Sequence, residues 1–142
     1  MATEPMTIVS PHKKYNSDGK FVFSCQYHCI FCPKYRRKVL EEPIANRLKE
    51  LVFEKQQEYG YEVIDIEVMP DHVHLLLSVN PKIGIYSAVT KIKGYTSFTL
   101  RKEFPELVRK LPTLWTRSRF ISSVGAMSLD VVKKYIEEQK AK

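Results

Sequence analysis

Residues 61–79 read YEVIDIEVMPDHVHLLLSV. In the first half, Val63, (Ile64), Ile66 and Val68 recur in near alternation, and Pro70-Asp71 then supplies a turn. The second half, HVHLLLSV, runs to Val79 and stops before Asn80-Pro81. The spacing predicts a β-hairpin. Successive strand side chains point to opposite faces, so Val73, Leu75, Leu77 and Val79 share one face while His72, His74, Leu76 and Ser78 share the other. An all-aliphatic face must be covered by helices. Both imidazoles are therefore expected on the uncovered face, with their Cα atoms about 7 Å apart from the strand rise.

The pattern extends in both directions. Upstream, KFVFSCQYHCIFCP at 20–33 is rich in β-branched and aromatic residues and reads as one long strand ended by Pro33. Between Glu41 and Tyr59, Ile44, Leu48, Leu51, Val52 and Tyr59 follow helical spacing, with Gly60 as the stop. Downstream, Ile85, Ala88, Val89, Ile92 and Tyr95 mark a helix over 84–104, and Leu114–Val124 reads as a fourth strand between Pro112 and Gly125. Ser128 is a suitable N-cap for a last helix, SLDVVKKYIEEQ, with Asp130 in its first turn. The order is β-α-β-β-α-β-α. Its first six elements fit an α+β, ferredoxin-like antiparallel sheet with two helices on one face, although other antiparallel α+β topologies share that order. A single domain over 1–142 is expected. Residues 1–19, where Pro5, Pro11, Asn16, Asp18 and Gly19 gather, are expected to form a loose leading segment.

Composition narrows the partners. The 142 residues carry 23 Lys+Arg against 16 Asp+Glu, a net charge of +7 that favours polyanions, with nucleic acid first among them. Apolar residues make up 44%, enough for a core. No apolar run approaches the roughly 20 residues of a membrane helix, and the start MATEPMTIVS lacks the order of a secretory signal, so a cytoplasmic location without membrane contact is expected. The three cysteines suit a reducing compartment. Cys25, Cys29 and Cys32 do match the spacing of radical-SAM iron–sulfur enzymes. On a strand, however, Cys32 faces away from the other two, so they read as small core residues.

His-Val-His is the strongest chemical signal. Two imidazoles on one face suit a divalent ion, and Asp71 could orient one of them from behind. An isolated pair also arises by chance on half-exposed strands. The His-x-His-x-His pattern of histidine-triad nucleotide hydrolases has Leu76 at its third position here, which counts heavily against that reading. His12 and His28 have no comparable spacing and receive no role. Lys34, Tyr35, Arg36, Arg37 and Lys38 set four cations around an aromatic ring after the first strand, and Arg117 and Arg119 alternate on the fourth, an arrangement suited to gripping phosphates and stacking a base. A solvated charge run looks the same in sequence. Lys91, Lys93, Arg101 and Lys102 are lesser candidates. In the last helix Tyr135 and Gln139, four residues apart, lie together on the border of the apolar stripe. Such a tyrosine is more often a packing residue, and there are eight tyrosines in the chain.

YHCIFCPKYRRKVL, EVMPDHVHLLLSV, LWTRSRFISSVG and KKYIEEQ, in this order and spacing, resemble the single-tyrosine HUH transposases, small TnpA-type enzymes that move insertion sequences as single-stranded DNA. The resemblance covers nearly the whole chain. It implies that His72 and His74 bind a divalent metal, magnesium or manganese, that Gln139 completes the site, and that Tyr135 is the nucleophile forming a 5′-phosphotyrosine. It further implies a prokaryotic host, DNA hairpins at transposon ends as the partner, a homodimer, a minimal form without extra domains, and a C-terminal helix that carries the tyrosine. Two other readings stand beside it: a non-catalytic single-stranded nucleic-acid-binding module of the same fold, and a domesticated HUH nuclease.

Overall fold

The computed structural model describes residues 16–19 and 21–125. Their strands are β1 Asn16–Ser17, β2 Val22–Phe23, β3 Gln26–Phe31, β4 Tyr61–Met69, β5 His72–Val79 and β6 Phe120–Ser123. Their α-helices are α1 Ile44–Glu54, α2 Gln56–Tyr59, α3 Ile85–Glu103 and α4 Pro105–Lys110. β3 to β6 form one sheet in the order β4-β5-β3-β6, antiparallel throughout, which is the ferredoxin-like arrangement. The predicted C-terminal helix lies outside the described residues.

The aliphatic face of β5 decides where the core forms. Val73, Leu75, Leu77 and Val79 are fully buried with Cys29 and Phe31 of β3, Leu48, Leu51 and Val52 of α1, and Ala88, Val89, Ile92 and Leu100 of α3. Burying such side chains contributes about 1.5–3 kcal/mol each, so the helices have a strong reason to lie on this side. The opposite face carries Gln26, His28 and Ile30 from β3 and His72, His74, Leu76 and Ser78 from β5, as the paired register requires. The short β1–β2 hairpin touches one end of it, where Ser78 Oγ donates to Asn16 Oδ1 at 2.5 Å.

Several expectations need correction. The strand predicted over 20–33 is shorter, Gln26–Phe31, because its partner β5 ends at Val79. The last bond of that ladder end runs from Val79 N to Cys25 O at 2.8 Å, and Val22–Phe23 pairs instead with Asn16–Ser17. Asn16–Ser17, at the end of the segment expected to be loose, is thus part of a paired hairpin. The strand predicted over 114–124 is reduced to Phe120–Ser123, with an isolated bridge from Trp115 to Pro33. The buried Lys93 explains the gap: its Nζ donates to the carbonyl of Thr116 at 2.7 Å and lies 3.4 Å from those of Arg117 and Ser118, drawing these oxygens away from a ladder. A helix over Pro105–Lys110 was not foreseen; it buries Leu107. Ile64 sits at a bulge between Val63 and Asp65, which is why it breaks the alternation of β4. Among the described residues no helix is long and apolar enough to cross a membrane.

Candidate active site

β5 is an interior strand, paired on both sides, so its histidines are held by two ladders rather than by a loop. Asp71, in the turn just before it, lies with Oδ1 at 2.9 Å from His72 Nδ1. Its second oxygen, Oδ2, accepts a bond from Arg36 Nη2 at 2.9 Å. The His72 ring, then the Arg36 guanidinium, hold the Asp71 carboxyl below the usual carboxylate range. A proton on His72 Nδ1 donated to Asp71 leaves the Nε2 lone pair for another partner. Asp71 thus contacts an imidazole of the pair, His72, as its place just before the strand suggested.

His74 has a neighbour the sequence reading passed over. Its Nε2 lies 3.0 Å from His28 Nδ1, with ring centroids 5.2 Å apart. Partial burial, followed by the nearby His28 ring, moves the His74 pKa down, while Glu67 and Asp65 pull it the other way. Glu67 stands directly across from His74 in the register, and Met69 across from His72. His28 could have been found by alternation alone: Cys29 and Phe31 are core residues, so Gln26, His28 and Ile30 must face the histidine side.

The basic turn begins where β3 ends. Lys34–Arg36 form a 3-10 turn in which Tyr35 (φ 60°) and Arg36 (φ 51°) both adopt the left-handed conformation. That geometry turns the Tyr35 ring out to 66% exposure, with Lys34 Nζ 5.4 Å from its centroid, and carries Arg36 back to Asp71. Arg37 and Lys38 are exposed beside them. Arg36, alone of Lys34 to Lys38, is bonded to Asp71 and so ties this turn to the histidine strand. Arg117 and Arg119 are not tied to it in this way: both precede β6, and Arg119 turns to the helix side, donating to Thr90 Oγ1 at 2.7 Å with its guanidinium 4.8 Å from the Tyr86 ring centroid. Lys93 points inward and is no surface cation. Tyr135 and Gln139 lie outside the described residues.

Two imidazoles on one face, one of them with a carboxylate behind it, form a donor set that fits a divalent first-row cation. No group of three His, Cys, Asp or Glu side chains converges among the described residues.

The model for the family "Transposase IS200 like" matches residues 21–139. The chain belongs to the IS200-like transposase family. It is 40% identical over 139 residues to the ISDra2 transposase TnpA of Deinococcus radiodurans, covering 96% of this chain and 99% of that one. The crystal structure of a Deinococcus radiodurans protein taken to be a transposase superposes with a TM-score of 0.69 at 34% identity, over 87% of this chain and 96% of its own. A REP-associated tyrosine transposase, solved bound to a REP hairpin, shares the fold with a TM-score of 0.55 at 14% identity, over 80% of this chain and 61% of its own. Membership in the IS200-like family implies DNA cleavage and strand transfer, chemistry that calls for phosphate contacts beside the reacting groups.

Proposed function

We propose that this IS200-like transposase cuts and rejoins single-stranded DNA at the ends of an insertion sequence through a covalent 5′-phosphotyrosine on Tyr135. The observation that carries the reading is the Asp71-anchored His72 beside His74 on the face of β5 turned away from the helices, next to the Lys34–Lys38 turn. His72 and His74, with Gln139 as the further donor, would hold a magnesium or manganese ion, which when bound polarises the scissile phosphate. The imidazoles favour manganese on grounds of softness. The Tyr135 oxygen attacks phosphorus, a new O–P bond forms, and the bond to the 3′ oxygen breaks. The tyrosine proton passes to solvent, and the departing oxygen takes up a proton to become a 3′-OH. Because the phosphodiester-like linkage is kept, a 3′-OH reverses the step and joins strands without a nucleotide cofactor. Lys34, Arg36, Arg37 and Lys38 grip the backbone while Tyr35 offers its exposed face to a base. The partner is a hairpin-bearing single strand, in keeping with the hairpin held by the REP-associated fold relative, and the working unit proposed with it is a homodimer.

The test is incubation of the full chain with a single-stranded, hairpin-bearing transposon end and Mn2+, followed by a denaturing gel. Wild type should give a protein–DNA adduct at the 5′ end of the cut strand. Tyr135→Phe should bind the hairpin and give none, and His72→Ala or His74→Ala should give none while remaining folded. An adduct on another residue, or one that persists in Tyr135→Phe, overturns the mechanism.

A further inference from the structure

His28 and His74 face each other through Nδ1 and Nε2 at 3.0 Å, from adjacent strands. At that distance one of the two nitrogens carries a hydrogen and the other accepts it. If His28 were the donor, the Nε2 lone pair of His74 would be taken up by that bond and its Nδ1 would hold the proton, so a neutral His74 would have no lone pair left for a cation. If His74 Nε2–H is the donor, His74 Nδ1 is free. As long as this contact is kept, only the second arrangement lets His74 act as a ligand.

We propose that His28 is a positioning residue of the metal seat: its Nδ1 accepts the His74 Nε2 proton, fixing His74 in the form that presents Nδ1 to the ion. His28 then does for His74 what Asp71 does for His72, and the two histidines offer different nitrogens, Nε2 from His72 and Nδ1 from His74. The difference follows from where the supports stand. Asp71 immediately precedes His72 in the chain, whereas His28 approaches His74 from the neighbouring strand β3. The proposal rests on the reading of His72 and His74 as the metal seat.

Two measurements on the full-length, metal-free and Mn2+-titrated protein test it without recourse to cleavage. Long-range 1H–15N spectra of the histidine side chains, above pH 7, should show His74 protonated on Nε2 in the wild type and mixed between its two forms in His28→Ala. Mn2+ titration followed by electron paramagnetic resonance should give a Kd raised about 10- to 100-fold in His28→Ala, the range seen when outer-sphere partners are removed. His28→Gln, which restores an acceptor, should recover much of it. A His74 protonated on Nδ1 in the wild type, or a Kd unchanged in a folded His28→Ala, overturns the proposal. If the wild type itself binds no Mn2+, or His74→Ala binds as tightly as wild type, the failure lies with the metal seat. If those arms behave and only the His28 arms do not, His28 alone is at fault.

Discussion

Asp71 holds His72 by the ring: Oδ1 stands 2.9 Å from Nδ1, while Oδ2 is taken by Arg36. The carboxylate therefore ties the first histidine of the pair to the basic turn. Asp71→Asn removes the charge and keeps the shape, and we expect a Mn2+ affinity about 10- to 100-fold weaker, read by titration. The carboxyl itself should titrate below its ordinary value of 3.8. With the folded pKa depressed, the stabilisation it contributes is complete above 3.8 and is lost as pH falls through the lower folded value. A 13C titration of the Asp71 carboxyl checks this, and His72→Ala should raise the midpoint more than Arg36→Ala.

The two basic segments should separate in salt dependence. Lys34→Ala and Arg37→Ala should each lower the slope of log K against log salt by about 0.7 for a single strand, because each loses one phosphate contact. Arg119→Ala should leave the slope nearly unchanged, since its guanidinium is engaged by Thr90 and Tyr86 on the helix side. Fluorescence anisotropy with a labelled hairpin over a salt series distinguishes the cases.

Lys93 gives a pH signature of its own. Burial, reinforced by the Arg119 charge, moves its pKa from 10.5 to about 8. Between these values the unfolded chain holds a proton that the folded one has released, so stability rises with pH across that window. Lys93→Met should abolish the rise and free the carbonyls of residues 116–118. Urea midpoints at pH 8 and 10 measure the first effect, and hydrogen exchange in 116–119 the second.

Among the glycines of the described residues, Gly60 alone leaves no room for a side chain. Its φ is +74°, and a Cβ there would come within 2.6 Å of Ile83 Cγ1. Gly60→Ala should destabilise the fold by about 1–3 kcal/mol, measured by urea unfolding, with no direct effect on the histidines.

The hairpin was legible in the sequence because one face of β5 is wholly aliphatic, and a two-residue period has a single solution when half of it must be buried. The helices followed from the same need for cover. The edges were less legible. Residues 20–25 have strand-like composition, yet composition says nothing of where a partner strand ends. Residues 114–119 are equally strand-like, and their pairing is lost to an inward-turned lysine twenty-odd positions away, an interaction with no local signature. At the site, His72, His74 and the support from Asp71 were readable as neighbours in the chain. His28 was not, because its significance comes from register across two strands, although the alternation around Cys29 and Phe31 already placed it on the right face.

The interior position of β5 has a consequence for how this gene can drift. Facing on a strand is a matter of odd and even, so each histidine keeps its side only while the count from the Pro70-Asp71 turn holds. Adding or losing one residue between Asp71 and His74 would send imidazoles toward Leu48 and Ile92 and turn aliphatic side chains to water, and with strands bonded on both flanks the slip cannot be absorbed at an edge. The stretch between α4 and β6, by contrast, largely lacks ladder pairing and has no parity to keep. Length variation among descendants should therefore gather in residues 111–119 and be absent from 71–79, a pattern set by arithmetic along the chain rather than by the chemistry of any one side chain.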